Sequence, residues 1–134
     1  MKRALICLLI LSVLLCSCGG RGNISFAVTE KVGSEIYSER EIDNAIEEAT
    51  AYFKRHFDGC TLTTISYAGD HKTADWAGRT ELYGGSQVIV LTSSFLTGPQ
   101  GSDGSLNPND IYTNWMWILT RDPGGRWKHA DHGY

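Results

Sequence analysis

The spacing of apolar residues after Ser38 predicts one long amphipathic helix. The run Ser38-Glu39-Arg40-Glu41 matches the capping box S-x-x-E, in which the Ser and Glu side chains satisfy the first free N–H groups of a helix. Basic side chains from Lys54 to His56 complement the helix dipole, and Asp58-Gly59 ends the helix. Apolar residues recur every three or four positions between charged ones, namely Ile42, Ala45, Ile46, Ala49 and Phe53.

Two later stretches have the composition of β-strands. Thr61 to Tyr67 is rich in Thr and Ile, and the doublet Thr63-Thr64 disturbs its alternation, which indicates a β-bulge. Gln87 to Phe95 begins with apolar residues on both faces and is therefore predicted to be central in the sheet. Between them, Asp70 to Tyr83 predicts a short helix that stops at Gly84-Gly85.

The C-terminal part of the chain predicts a β-hairpin. Two β-rich runs, Ile111 to Arg121 and Arg126 to Tyr134, flank a Pro-Gly-Gly turn, and they hold three of the four tryptophans. A loop of about fifteen residues, from Leu96 to Asp110, precedes them. If Asp122 pairs with Arg126, one face of the hairpin carries Trp115, Trp117, Leu119, Trp127, His129 and Asp131, and the other carries Met116, Ile118, Ala130 and His132.

These elements predict an α+β domain over residues 35–134: one long N-terminal helix packed on an antiparallel sheet of about four strands, with a short second helix. The arrangement resembles cystatin-like and nuclear-transport-factor-2-like domains. The runs Ser105-Leu106-Asn107-Pro108 and Tyr112-Thr113-Asn114-Trp115, with Trp127 to Tyr134, resemble a group of uncharacterised small lipoproteins of gut Gram-positive bacteria. That group has no established catalytic residues, so the resemblance implies none here.

The first residues predict a targeting segment. Lys2 and Arg3 precede an apolar run of about a dozen residues, Ala4 to Leu15, which is shorter than the roughly 20 residues that cross a bilayer. Leu15-Cys16-Ser17-Cys18 resembles the lipobox of bacterial lipoproteins, which implies cleavage before Cys18 and diacylation of its sulfur. An ordinary secretory signal peptide, or modification of Cys16, is the alternative.

Residues 1–17 are therefore predicted to be a lipoprotein signal peptide, and residues 18–34 a flexible tether. The alternation from Ile24 to Val28 leaves a short edge strand as the alternative within the tether. Two acyl chains anchor a protein stably, so we expect the mature protein at the extracytoplasmic face of the cell membrane.

Charge and cysteine content narrow the class of partner. Loss of Lys2 and Arg3 leaves about 10 basic against 15 acidic side chains, and this net charge near −5 argues against nucleic acid and against adhesion of the domain to anionic lipid. Cys60 is then the one cysteine left besides Cys18, so no disulfide framework is predicted. We expect Cys60 to be a small buried residue.

His129 and Asp131 are the candidate catalytic residues. On the register above they share the aromatic face, where desolvation raises the pKa of a carboxyl group and suits it to acid/base chemistry. Nuclear-transport-factor-2-like folds hold acid/base enzymes in the cavity between helix and sheet, which is what the resemblance implies here. The alternative is a frayed, solvated strand end, or a register slip that turns both side chains away.

Other constellations give weaker predictions. His132 points away from His129 and Asp131 on this register, so the run is a poor chelator and no metal site is predicted. The loop from Asp103 lacks the glycine of a calcium loop, because Pro108 stands in its place. Candidate binding residues are aromatic: Trp115, Trp117 and Trp127 in the hairpin, with Trp76, Tyr83 and Tyr112 as platforms for a sugar or peptide.

With no cofactor motif and no catalytic signature, the sequence favours a membrane-tethered binding module whose protein or small-molecule partner is unknown. The alternative is a small acid/base enzyme, or a ligand-pocket protein, that uses Asp131 and His129 between helix and sheet.

Overall fold

The structure, a computed structural model, describes residues 21–134. The predicted signal peptide (residues 1–17) and Cys18 lie outside the described residues. The elements in chain order are β1 (Val28–Glu30), α1 (Glu39–His56), β2 (Thr61–Tyr67), α2 (Asp70–Ala77), a 3-10 turn (Thr80–Leu82), β3 (Gln87–Leu96), β4 (Ile111–Arg121) and β5 (Lys128–Gly133). The predicted α+β class is confirmed.

The sheet differs from the prediction in its first strand. Its five strands lie in chain order, β1-β2-β3-β4-β5, with antiparallel pairing from β2 to β5 but parallel pairing of β1 with β2. The prediction of a helix leading an antiparallel sheet of about four strands is therefore wrong in two respects: a strand precedes α1, and the sheet is mixed. A three-residue strand without alternating burial gives little sequence signal.

Most of the segment predicted to be a tether is attached to the domain. Val28 pairs with Thr64 in β2, and Asn23 forms an isolated bridge with Thr61. Gly22 is buried, and its N–H donates to the Lys54 carbonyl at 3.1 Å. The attachment thus begins at Gly22, because these backbone groups find partners on β2 and on the end of α1.

Helix α1 begins with the predicted capping box. The Ser38 side chain accepts from the Glu41 N–H, and the Glu41 carboxylate accepts from the Ser38 N–H. Glu41 also forms an ion pair with Arg121 of β4, whose side chain is only 9% exposed, so one carboxylate both caps the helix and joins it to the sheet. The buried residues of α1 are the five predicted from the spacing: Ile42, Ala45, Ile46, Ala49 and Phe53.

Both faces of the sheet are packed. The face toward α1 holds the larger core, which includes Leu62, Leu91, Phe95 and Trp117. The opposite face holds a smaller cluster of Val88, Val90 and Ile118, against which Trp76 of α2, Tyr83, Met116 and Ala130 pack. The two clusters therefore lie on opposite faces of the sheet, and a cleft on the α1 side does not reach the α2 side.

Three register shifts interrupt the ladder, one in each of the antiparallel pairings β2–β3, β3–β4 and β4–β5. The first lies between Leu62 and Thr64 and confirms the bulge predicted from the threonine doublet. At the hairpin turn, Gly124 has a φ of 72°, a left-handed conformation that glycine adopts without strain. Leu119 pairs with His129 as predicted, but the next pair is Ile118 with Asp131, so one extra residue lies between them on β5.

Candidate ligand-binding site

The bulge in β5 decides which side chains face α1. Because the register shifts, His132 rather than Asp131 lies opposite Trp117, and His129 and His132 both face the helix. The prediction that Asp131 lies among the indoles beside His129 is wrong for the same reason. Its carboxylate accepts from the Tyr83 hydroxyl at 3.1 Å on the opposite face of the sheet.

His129 stacks on Tyr52 of α1, and the His132 ring lies tilted beside them. The Tyr52 ring lies parallel to the His129 ring at a centroid distance of 3.7 Å, and its distance to the His56 ring is 4.2 Å. His129 Nε2 and His132 Nδ1 are 2.9 Å apart, which is a hydrogen bond in which one ring donates and the other accepts. The last turns of α1 and the end of β5 are therefore joined through rings.

Both histidines favour the neutral form. Burial, and after it the charge of the neighbouring His132, lower the pKa of His129 to about 4 against the opposite effect of Asp131. Burial also lowers the pKa of His132. At neutral pH the pair therefore carries no charge and offers one ring N–H and one ring lone pair to its surroundings beyond the bond that it makes internally.

A cleft of about 260 Å³ opens beside this pair. One wall comes from the end of α1, a second from the loop between β3 and β4, and the floor from the sheet. The lining residues are Tyr52, His56, Phe57, Ser102, Asp103, Ser105, Leu106, Trp115 and His132. Aromatic rings thus form the inner surface, and hydroxyl and carboxylate groups form the rim.

The loop that forms the rim is ordered by hydrogen bonds. The Thr97 hydroxyl donates to the Asn107 carbonyl at 2.6 Å and accepts from the Asp110 N–H at 2.8 Å. Gly101 has a φ of 59°, and a Cβ there would lie 2.1 Å from the Leu106 carbonyl oxygen, so only glycine fits. A side chain at this position would displace Ser102 and the rim with it.

Trp115 is the one predicted binding residue that lines the cleft. Its side chain is 8% exposed, and its indole N–H is buried with no hydrogen-bond partner among residues 21–134. Trp117 and Trp127 are structural instead. The Trp117 N–H donates to Ser93 Oγ at 2.9 Å, and the Trp127 N–H donates to the Glu41 carbonyl at 3.0 Å.

The remaining predicted candidates lie elsewhere. Trp76 and Tyr83 lie on the α2 side of the sheet, while the Tyr112 ring stacks on Phe95 at 5.1 Å. Cys60 is 1% exposed, as expected of a small core residue, and burial raises the pKa of its thiol, which disfavours the nucleophilic thiolate.

Sequence reasoning did not identify Tyr52 and His56 as site residues, and it placed His132 on the opposite face of the hairpin. The spacing of Tyr52 and His56 places them on one face of a helix, and this was a usable signal. The ring-bearing residues Trp127, His129, His132 and Tyr134 follow steps of two, three and two, which is the pattern of one face interrupted by a single extra residue.

Within residues 21–134, no three His, Cys, Asp or Glu side chains lie close enough together to hold a metal ion. Over the same part of the chain, no helix combines the length and the apolar character that crossing a bilayer requires. Comparisons with models of protein families, with curated proteins and with solved structures found no match to this chain.

Proposed function

We propose that this chain is an extracytoplasmic lipoprotein, anchored to the cell membrane through Cys18, whose domain is a binding module for a small polar ligand. The anchor is supported by the run Leu15-Cys16-Ser17-Cys18 after an apolar segment. We further propose that the domain is cystatin-like or nuclear-transport-factor-2-like, because a single long helix packs across the antiparallel strands β2 to β5.

The observation that carries the binding proposal is a ring-lined cleft whose wall includes Trp115, a residue with a buried indole N–H that has no hydrogen-bond partner among residues 21–134. Burying a donor without a partner costs about 1–3 kcal/mol of folding free energy. A ligand oxygen that accepts from this donor would regain much of that free energy on binding. The cleft volume of about 260 Å³ lies just below the usual range for drug-sized ligands, which favours a compact molecule.

The chemistry of the lining narrows the ligand class. The Trp115 N–H and the hydroxyls of Ser102 and Ser105 offer donors, while the rings of Tyr52 and Trp115 offer flat apolar surfaces. A molecule with acceptor oxygens around its edge and an apolar face fits both. A single saccharide unit of an envelope glycan has this character.

Binding of mono- and disaccharides, followed by tryptophan fluorescence and by heteronuclear NMR shifts, tests the proposal. We expect Trp115→Phe to weaken binding by about tenfold, because it removes one hydrogen bond worth about 1.4 kcal/mol. Tyr83→Phe is the matched control, since it removes a hydroxyl on the opposite face of the sheet and leaves the cleft intact. Equal affinity of Trp115→Phe and the wild-type protein would contradict the assignment, as would a panel in which no saccharide binds.

The anchor is tested separately by Cys18→Ala in the full chain. We expect this variant to leave the membrane fraction and to partition into the aqueous phase of a detergent extraction, because it cannot be acylated. Unchanged partitioning would show that the lipidation assignment is wrong, whatever the cleft binds.

A further inference from the structure

The point at which the chain joins the domain is fixed near the end of α1. The Asn23 N–H donates to the Cys60 carbonyl at 2.8 Å, and the Leu62 N–H donates to the Asn23 carbonyl at 2.9 Å. With Gly22 bonded to Lys54, the sequence between Cys18 and the first attached residue is only Gly19, Gly20 and Arg21. A lipid on Cys18 is therefore close to this end of the domain.

A row of paired residues crosses the sheet at the same end. Asn23 pairs with Thr61, Thr61 with Leu96, and Leu96 with Ile111. Neighbouring strands lie about 4.8 Å apart, so Ile111 is about 14 Å from Asn23 along this row. Leu96 and Ile111 are 41% and 66% exposed, and these two residues form an apolar strip beside the polar Asn23 and Thr61.

The length of the linker limits how far the attachment point at Asn23 can lie from the bilayer. Five Cα steps separate Cys18 from Asn23, and at about 3.6 Å per step they span at most about 18 Å. Strand β3 has 10 residues and is about 34 Å long, so with the strands upright on the bilayer the end near Gln87 lies beyond the reach of the linker. The end with Leu96 and Ile111 can reach the bilayer.

We propose that this end of the domain, with Leu96 and Ile111 at its edge, is seated on the extracytoplasmic leaflet of the membrane. The inference rests on the lipidation of Cys18 proposed above. Exposed charges of both signs occur at this end, Arg21 and Lys54 with Asp58 and Asp103, so the contact depends on the apolar strip and the short linker rather than on net charge.

The seating also locates the cleft. His56 and Phe57 line the cleft two and three residues after the bonded Lys54. A Cβ on Gly98 would lie 2.8 Å from the Gly59 carbonyl oxygen, which places the start of the rim loop against the same end. The cleft therefore lies close to the membrane surface, and its ligand binds there.

Site-specific fluorescence on the full acylated protein tests the seating. Single cysteines at Leu96 or Ile111, labelled with an environment-sensitive fluorophore, report contact with vesicles of phosphatidylethanolamine and phosphatidylglycerol that contain brominated phospholipid. Leu82→Cys is the matched control, because Leu82 is 77% exposed and lies just before β3, at the opposite end of the sheet. The native Cys60 is 1% exposed and is protected from labelling in the folded protein.

We expect quenching about threefold or more stronger at positions 96 and 111 than at position 82, because side chains of an interfacial surface enter the headgroup region. Equal quenching at all three positions, or none at 96 and 111 in vesicle-bound protein, would overturn the seating and leave the anchor intact. Vesicle binding that persists in the Cys18→Ala protein would instead overturn the anchor, and with it the premise of the seating.

Discussion

Trp115 and Trp117 occupy alternate positions of β4 on the same face of the sheet, yet their indole N–H groups have different environments. That of Trp117 is bonded to Ser93, a residue 3% exposed, whereas that of Trp115 is buried without a partner. An unsatisfied buried donor destabilises the fold. Trp115 therefore carries a stability cost that Trp117 does not, and the ligand binding proposed above would account for it.

Replacement of each tryptophan by phenylalanine separates these roles. Trp117→Phe leaves a cavity and an unsatisfied Ser93 hydroxyl, so we expect the free energy of unfolding to fall by about 2–3 kcal/mol. Trp115→Phe also loses volume but removes the orphaned donor, so we expect a loss of only about 0–1 kcal/mol. Urea denaturation of both variants measures the difference, and equal losses would show that the Trp115 N–H is satisfied in solution.

At the scale of elements, the contact between α1 and β5 depends on neutral rings. Tyr52 stacks on His129, and His129 is bonded to His132, so protonation of both histidines would place two cations side by side against the helix. Asp131 raises the pKa of both histidines and His56 lowers it, but for each of them burial is the largest effect.

The contact between α1 and β5 should therefore weaken in acid. A histidine in the unfolded chain has a pKa near 6.5, whereas the pKa of His129 in the fold is about 4. Between these pH values the unfolded chain binds more protons than the folded chain. The contribution of His129 to the free energy of unfolding is therefore complete above pH 6.5 and is lost as the pH drops toward 4. We expect a loss of about 1–3 kcal/mol across this window, reduced by the partial exposure of the ring.

Urea unfolding at several pH values between 4 and 7.5 measures this loss. His129→Gln should flatten the pH dependence, because the variant has no proton to bind at this position. His71→Gln, on the exposed surface of α2, is the control and should keep the wild-type slope. A slope in His129→Gln equal to that of the wild-type protein would mean that His129 does not contribute to the acid sensitivity.

At the scale of the whole molecule, the N-terminal segment is attached to the domain by the close packing of Gly22 on α1. Gly22 packs so closely on α1 that a Cβ would lie 2.5 Å from the Phe53 carbonyl oxygen and 2.8 Å from its ring. The bridge from Asn23 to Thr61 follows directly, so this close approach fixes where the N-terminal segment meets the domain.

Gly22→Ala should release the segment. The added methyl cannot be accommodated without a backbone shift, which costs about 1–3 kcal/mol, so the bond from the Leu62 N–H to the Asn23 carbonyl should open. We expect hydrogen exchange at the Leu62 amide to become about tenfold faster or more. Gly33→Ala is the control, because a Cβ there meets nothing within 4 Å, and equal exchange rates in the two variants would refute the close packing of Gly22.

The sequence by itself determined the elements whose signals are local. Helix α1 was predictable because its capping box and its apolar spacing operate within a few residues, and the buried set agrees with that spacing. Strand β2 and its bulge, strand β3 and the Pro-Gly-Gly hairpin were predictable for the same reason. Of the candidate site, the sequence identified Trp115 and His129.

The tertiary structure alone decided the rest. Strand β1 pairs with residues of β2, which follow α1 in the sequence. A short exposed strand has no hydrophobic periodicity that would predict such a distant partner. The polar end of β5 fixes its own register weakly, so the extra residue at Ala130 was settled by packing of the rings against Tyr52 and Trp117. That single residue turned Asp131 away from the helix and brought His132 into the cleft.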